Sequence, residues 1–294
     1  MAHQILLYYK YVHIDDPEAF AEVERKLCTE LGLKGRILIA HEGINGTVEG
    51  TVETTETYVQ ELMKDERFSD IHIKRSVGTG VAFKKMFVRV RNEIVGTHFD
   101  ADINPTMGTS PYISAEELHT LIRSGEKIKI VDMRNDYEFK IGQFENSILP
   151  SLSNSRDLLE KIKELEPLKN ERIITVCTGG VRCEKMSALL LKHGFTHVSQ
   201  LHGGIVTYME KYPNKDFKGK LYVFDDRISI GFQTESTEHE IIANCERCSA
   251  VSDNYINCND TACHKQFICC ASCVEAGHLL CPAGCIKKIR AHNH

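Results

Sequence analysis

Two cysteines and an arginine surround a short glycine-containing turn in the segment TVCTGGVRCEKMS, residues 175–187. The turn follows an apolar run typical of a β-strand and precedes a stretch typical of a helix, which places Cys177 near a helix N-terminus. Main-chain N–H donors and the positive end of the helix dipole favour a thiolate there. Gly179 and Gly180 permit a turn tight enough for successive N–H groups to converge, and Arg182 adds a positive charge. We therefore expect Cys177 to be ionised and accessible.

The loop after Cys177 is predicted to cradle an anion with its main chain, through Thr178, Gly179, Gly180 and Val181. Cysteine phosphatases place one residue more between cysteine and arginine than the four found here, so a single sulfur atom carried on Cys177 fits better than phosphate. Cys183 is a second thiol that can resolve an oxidised or persulfidated Cys177 as a disulfide. A structural role for Cys183 and a small buried hydrophobe at Cys177 are the alternatives.

The C-terminal part of the chain is rich in cysteine. Nine of the twelve cysteines fall between residues 245 and 285, and without a secretory leader this favours metal or redox chemistry over disulfides. Eight of the thiolates suffice for two tetrahedral zinc sites. A cross-braced scheme gives one site Cys245, Cys248, Cys270 and Cys273 and the other Cys258, Cys263, Cys281 and Cys285. Cys269 and His264 are spare ligands, and disulfides or free thiols are the alternative.

Composition limits the class of protein. Hydrophobic residues make up 42% of the chain and charged residues 26%, which excludes wholesale disorder. A net charge of -5 gives no overall attraction to nucleic acid, so any RNA contact requires a local basic surface. No leader and no apolar run approaching the ~20 residues of a membrane span are present, so we expect a cytoplasmic protein without a membrane partner.

The elements that position these residues divide the chain into an α/β arrangement of successive parts. Residues 1–95 read β-α-β-β-α-β, the pattern of a ferredoxin-like (acylphosphatase-like) domain, with one additional strand. Residues 96–113 are a linker, and strands and helices alternate over 114–217, which predicts a parallel sheet with helices on both faces. Residues 218–294 form an extension and the cysteine-rich tail.

One face of the N-terminal sheet is predicted to be basic and aromatic. In the run KKMFVRVR, Met86, Val88 and Val90 share one face, and cationic or aromatic residues share the other. The candidate RNA-binding residues on this sheet are Tyr8, Lys10, Lys74, Lys85, Phe87, Arg89 and Arg91. Bases stack on rings and phosphates pair with cations, as single-stranded RNA requires. An ordinary solvated face is the alternative, and Lys287, Lys288 and Arg290 are a second candidate phosphate contact.

Three stretches of the middle part together resemble a rhodanese domain: IVDMRNDYEFKIGQFENSILP (130–150), VCTGGVRCEKMSALLLKHGF and VSQLHGGIVTY. The first carries the family pattern as Asp132, Arg134, Glu138, Phe139 and Gly142. We interpret the three charged residues of that set as a structural ion-pair network rather than as catalysts. The resemblance implies that Cys177 bears a persulfide.

The whole chain resembles the rhodanese-domain tRNA uridine hydroxylases through HEGINGT, CTGGVRCEK, GKLYVFDDR and the cysteine-rich tail. The resemblance implies oxygen-dependent formation of 5-hydroxyuridine at the wobble position, with the tRNA anticodon loop as partner. Cys177, Arg182 and Cys183 are the candidate catalytic residues, and zinc is inferred from spacing alone. A sulfurtransferase carrying a persulfide on Cys177 is the first alternative, and a non-catalytic RNA- or protein-binding adaptor is the second. No iron or flavin motif identifies the route of oxygen activation, and the electron donor and oligomeric state are not given by the sequence.

Overall fold

A computed structural model describes residues 1–100, 102–263, 265–282 and 285 of the chain. His264, Lys287, Lys288 and Arg290, named above as candidate contacts, lie outside the described residues. The expected fold class is confirmed: a ferredoxin-like domain is followed by a rhodanese-type parallel sheet and a small cysteine-rich region. No helix among the described residues has the length and apolar character needed to cross a membrane.

The N-terminal domain is a five-stranded sheet covered by two helices on one face. Its elements are β1 (His3–Tyr11), α1 (Pro17–Glu30), β2 (Lys34–Ala40), β3 (Gly43–Thr51), α2 (Val52–Leu62), β4 (Lys74–Gly78) and β5 (Met86–Val90). The strand order is β4-β1-β3-β2-β5, and only β2 and β5 pair in parallel. Asp16 caps α1 by accepting a hydrogen bond from the Ala19 N–H, and Pro17 begins the helix, as the sequence predicts.

The second domain is a four-stranded parallel sheet between helices. Its elements are β6 (Tyr112–Ile113), α3 (Ala115–Ser124), β7 (Ile128–Asp132), α4 (Asp136–Phe139), β8 (Gly142–Phe144), α5 (Leu158–Lys161), β9 (Arg172–Val176), α6 (Val181–Lys192), β10 (Val198–Leu201) and α7 (Gly204–Lys211). The order is β6-β10-β9-β7. Strand β6 lies within the segment that we predicted as a linker. One core contains α3 and α7, and a second contains α5 and α6 on the other face.

The C-terminal part attaches to the second domain through one strand pairing and side-chain contacts. Its elements are β11 (Phe217–Gly219), β12 (Leu221–Tyr222), β13 (Ser229–Ile230), β14 (Tyr255–Asn257), β15 (Gln266–Ile268) and α8 (Ala271–Glu275). Strand β11 pairs with β8, and the Tyr255 hydroxyl donates to the Tyr137 carbonyl over 2.6 Å. These contacts hold the cysteine-rich region against the second domain.

Candidate active site

Cys177 directly follows β9 and precedes α6, where the sequence predicts it. Gly180 donates its main-chain N–H to the Cys177 Sγ over 3.2 Å. Gly180 has φ 101°, in the left-handed region that favours glycine, and this backbone turn directs the N–H toward the sulfur. The structure therefore forms part of the predicted main-chain cradle around the thiol.

The N-terminus of α7 also donates hydrogen bonds to the Cys177 loop. At the start of α7, Ile205 N–H donates to the Cys177 carbonyl over 2.9 Å, and Val206 N–H donates to the Thr178 carbonyl over 3.1 Å. A Cβ at Gly204 would lie 2.7 Å from the Cys177 carbonyl oxygen, so only glycine permits this approach. The pair of glycines in LHGG was the sequence signal for this support, but its partner was not evident from the sequence.

Arg182 is held by a buried carboxylate. Its Nη1 and Nη2 lie 2.5 Å and 2.7 Å from the two Glu138 carboxylate oxygens, and the Thr178 hydroxyl donates to Glu138 over 3.1 Å. The Asp132 and Arg134 side chains form a separate, fully buried ion pair. Asp132 and Arg134 therefore form a structural ion pair, while Glu138 fixes the cation beside Cys177.

The surroundings of Cys177 favour its ionised form. Burial raises the pKa of this thiol, but the Cys183 thiol, the Arg182 guanidinium and the main-chain N–H groups of Cys183 and Gly180 outweigh it and lower the pKa to about 6. Burial and the neighbouring Cys177 raise the pKa of Cys183. Cys183 is thus a neutral thiol that donates toward Cys177.

The expectation that Cys177 is accessible is wrong for this structure, in which its exposed fraction is 0%. The reason is the N-terminal domain, whose sheet covers the loop with the face that α1 and α2 leave free. Leu7 packs into the core of the second domain, and Cβ atoms at Gly179 and Gly180 would lie 3.0 Å from Leu7 and 2.7 Å from the Tyr9 hydroxyl. A domain contact rather than an apolar pocket of the rhodanese fold encloses the thiol.

Polar contacts fasten the two domains around α6. The Tyr9 and Tyr112 hydroxyls donate to the same Glu184 carboxylate oxygen over 2.9 Å and 2.6 Å. Lys185 pairs with Glu42 over 2.8 Å and with Glu93 over 3.0 Å. Sequence reasoning missed Tyr9 and Glu184, which meet only because the two domains pack together.

Two of the clefts at this domain boundary lie near α6 and the Cys177 loop. The larger, about 310 Å³, contains the stacked pair His72 and His202, whose ring centroids are 4.8 Å apart. The smaller, about 80 Å³, is lined by Lys74, Thr178 and Phe224 among others. Phe224 is 47% exposed, and the Arg182 guanidinium lies 5.8 Å from its ring centroid. The smaller cleft adjoins the Cys177 loop through Thr178, whereas Cys177 itself lines neither cleft.

The candidate RNA-binding residues divide into two groups. Tyr8 is fully buried in the N-terminal core, where its hydroxyl meets that of Tyr58 over 2.6 Å, so its assignment to an RNA surface is wrong. Lys74 is also enclosed, because its face of β4 meets the second domain. Lys10 pairs with Asp70 at the larger cleft.

The remaining RNA-binding candidates lie together on the side of β5 that faces away from the N-terminal core. Lys85 Nζ and Arg89 Cζ each lie 4.7 Å from the Phe87 ring centroid, and Arg91 is exposed beside them. The core side of this strand is also as expected, since Val88 is buried and Met86 and Val90 pack against the core. The structure thus brings together a cationic and aromatic cluster along β5.

Eight of the nine tail cysteines come together in the two sets that the spacing predicts. Within each set all Sγ atoms lie within 4.8 Å of one another; the sets are Cys245, Cys248, Cys270 and Cys273, and Cys258, Cys263, Cys281 and Cys285. The Cys248–Cys270 and Cys258–Cys285 sulfur separations are 3.6 Å and 3.7 Å. Tetrahedral zinc with Zn–S bonds near 2.3 Å requires sulfurs about 3.8 Å apart, whereas a disulfide needs about 2.05 Å. The residues therefore fit zinc; Cys269 contacts the His278 carbonyl instead.

Comparison with known proteins covers nearly the whole chain. Residues 3–94 match the UPF0176 acylphosphatase-like domain, 114–211 the rhodanese-like domain and 218–286 the rhodanase C-terminal region. The tRNA uridine(34) hydroxylase of Bacillus licheniformis is 45% identical over 99% of this chain and 89% of its own length. Those of Staphylococcus carnosus and Cytophaga hutchinsonii are 43% and 40% identical over 94% and 96% of this chain, and 90% and 89% of their own lengths.

Proposed function

We propose that this chain, which belongs to the family of tRNA uridine(34) hydroxylases, is a tRNA-modifying enzyme that hydroxylates uridine 34. The observation that carries this function is the similarity to full-length relatives, because it extends through the N-terminal domain, the rhodanese domain and the tail together. A rhodanese domain alone would not identify the reaction, since that fold serves many functions.

The product that we propose is 5-hydroxyuridine, formed with molecular oxygen as co-substrate. Hydroxylation places one oxygen atom on the base, and reduction of the other to water takes two electrons from a reductant. We propose the cytoplasm as the location, because the substrate is tRNA.

Cys177 is proposed as the reactive group, acting as a thiolate or persulfide. The Gly180 N–H and the Arg182 cation support this role because both favour a negative charge on the sulfur. The target base must leave its stack to reach so enclosed an atom. Cys183 is proposed to stabilise the thiolate and to resolve an oxidised Cys177 as a disulfide.

The anticodon loop is proposed to bind along β5, on the cluster of Lys85, Phe87, Arg89 and Arg91. Arg36 extends this surface, because it lies opposite Phe87 in the neighbouring strand and also lines the smaller cleft beside Thr178. Cations paired with phosphates and a ring available for stacking suit single-stranded RNA. The surface therefore leads from the sheet edge toward the Cys177 loop.

Zinc is proposed to occupy the two cysteine sets as a structural ion. Four thiolates complete a tetrahedral shell and leave no open position for substrate, so the role is to hold the tail together. No step of the reaction is assigned to the metal.

The experiment uses cells that lack their own enzyme for this modification and express the wild-type chain, Cys177→Ser or Cys28→Ala. Nucleosides from total tRNA are measured by mass spectrometry. The wild type and Cys28→Ala, which removes a thiol from the N-terminal core, are expected to restore 5-hydroxyuridine, and Cys177→Ser is not. If the folded wild-type chain restores no 5-hydroxyuridine, the proposed hydroxylation is wrong. If Cys177→Ser restores as much 5-hydroxyuridine as the wild type, the Cys177 sulfur takes no part in the reaction.

Sulfur transfer is the second candidate, because the Gly180 N–H and Arg182 would equally stabilise a persulfide on Cys177. Its test is thiocyanate formation from thiosulfate and cyanide, together with the thiolated nucleosides in the same tRNA samples. Loss of a thiolated nucleoside without the protein would favour this candidate. A change in neither nucleoside would leave a binding adaptor.

A further inference from the structure

Lys74 is a buried cation beside the Cys177 loop. It lies in β4 opposite Leu7 and is 6% exposed, and its Nζ has no hydrogen-bond partner within the described ranges of the chain. The ammonium lies 5.1 Å from the Tyr9 ring centroid, and Lys74 Cε would lie 3.8 Å from a Cβ at Gly179. The side chain therefore extends between the domains to the loop that holds the thiol.

A buried ammonium without a partner destabilises the folded protein, so the stability of the fold does not explain the position of Lys74. Removing an ammonium from water costs free energy that hydrogen bonds or an ion pair return, and Lys74 has neither among the described residues; its contact with the Tyr9 ring returns only part of this cost. Burial lowers the pKa of Lys74 to about 8, while the charges of Cys177 and Glu184 act in the opposite direction. His72 and His202 also interact electrostatically with Lys74, the Tyr9 ring contacts it, and the charged residues that line the same cleft are Arg36, Arg75, Asp225 and Arg227.

The position of the ammonium points to a ligand. Lys74 and Thr178 line the smaller cleft together with Phe224, whose exposed ring is close to Arg182. A planar base entering this cleft would meet the Phe224 ring for stacking and the N–H donors of the Lys74 ammonium, next to the loop that carries Cys177. Uracil carries carbonyl oxygens at its ring edge, and these accept hydrogen bonds from an ammonium.

We infer that Lys74 is a substrate-binding residue whose ammonium donates to a carbonyl oxygen of the uridine presented to Cys177. The identity of the ligand as uridine rests on the proposed function. The position of the unpartnered Lys74 ammonium beside the Cys177 loop does not depend on that function. Lys74 thereby orients the base and favours negative charge that develops on its oxygen.

The first test measures the cation directly, through alkylation of Cys177 by iodoacetate and iodoacetamide. These reagents have similar size but differ in charge, and their rate ratio on one protein is independent of the fraction of thiolate. Trypsin releases Ile173–Arg182, whose only cysteine is Cys177, so mass spectrometry reports this site among twelve cysteines. At pH 7, Lys74→Met is expected to lower the iodoacetate-to-iodoacetamide ratio by about tenfold.

Two further variants and the pH dependence make the result specific. Lys74→Arg keeps the charge and should retain most of the ratio, and Lys26→Met, at an exposed position on α1, should leave it unchanged. In the wild type the ratio should fall as the pH rises through about 8, where the ammonium is lost. An unchanged ratio in Lys74→Met, or no labelling of the wild-type peptide by either reagent, would overturn the inference.

The second test uses the tRNA of cells that express Lys74→Met, with the Lys26→Met cells as control. We expect at least a tenfold loss of 5-hydroxyuridine and partial recovery in Lys74→Arg. A lowered alkylation ratio with full hydroxylation would exclude uridine as the ligand. If the wild type itself makes no 5-hydroxyuridine, the proposed function fails, while the alkylation ratio still decides whether the cation serves Cys177.

Discussion

Cys177 and Gly180 form one hydrogen bond on which the candidate site is built: the Gly180 main-chain N–H points at the Cys177 sulfur from 3.2 Å. The bond requires the left-handed backbone at Gly180, and the space beside that residue is occupied by the Tyr9 hydroxyl. The N-terminal domain therefore packs directly against the turn that stabilises the thiolate. Chemistry at Cys177 and docking of the two domains depend on the same few atoms.

Cys177 is expected to lose its proton near pH 6 rather than near 9, because the Cys183 thiol, Arg182 and the Gly180 N–H outweigh the effect of burial. Iodoacetamide labelling of the Ile173–Arg182 peptide as a function of pH measures this pKa. Cys183→Ala removes a donor and should raise it by about one unit, whereas Cys183→Ser retains a donor and should change it less. A wild-type midpoint near 9 would refute the assignment.

Glu138→Gln is expected to destabilise the protein by about 3 kcal/mol, because it removes the carboxylate from a buried ion pair and leaves the Arg182 charge without compensation. Urea denaturation followed by circular dichroism measures the change. Glu164→Gln is the matched control, since its pair with Lys161 is exposed and should contribute less than about 1 kcal/mol. Equal effects of the two substitutions would show that burial of the Glu138 pair is not important.

Much of the architecture is readable from the sequence because local patterns determine it. The capping box of Ser114 and Glu117 begins α3, and the alternation along β5 assigns its core and outer faces correctly. Cysteine pairs with short spacing identify both thiolate sets, since cysteines separated by two to four intervening residues reach one ion together.

The enclosure of the site was not readable from the sequence. In β1, Leu6, Leu7, Tyr8 and Tyr9 are all apolar or aromatic because both faces of the strand are covered, one by helices and one by the second domain. Alternation then cannot tell which tyrosine faces the site, and the prediction chose Tyr8 instead of Tyr9. A lysine in a strand normally indicates a solvent-exposed face, so the sequence gave no sign that Lys74 is buried.

Lys74→Met is expected to stabilise the folded protein at pH 7 by an amount on the order of 3 kcal/mol, because the folded-state pKa of Lys74 is lowered from 10.5 to about 8. Between these values the unfolded chain binds more protons than the folded one, so wild-type stability rises with pH. The advantage of Lys74→Met should therefore shrink from pH 8 to 10.5 in urea denaturation. A variant less stable than wild type at pH 7 would indicate that the ammonium has a partner.

Freshly purified protein is expected to contain about two zinc ions per chain, one for each set of four thiolates. Cys248→Ser should lower the content measured by plasma mass spectrometry to about one, while Cys269→Ser should leave it unchanged because Cys269 belongs to neither set. A chelator should unfold the tail and leave the N-terminal domain folded. A folded protein without metal, in which every thiol titrates, would exclude zinc.

Charge reversal at Arg89 and Arg91 tests the surface along β5. The double change to Glu is expected to weaken binding of a tRNA anticodon stem-loop by about tenfold, since cations that contact phosphates release counterions. The slope of log affinity against log salt should also fall by about 1 to 2. Lys26→Glu with Lys163→Glu makes the same change in net charge at exposed positions that are not part of the Phe87 cluster, and serves as control. If the two double variants bind equally well, the cluster around Phe87 is an ordinary solvated face, and the anticodon loop reaches Cys177 by another surface.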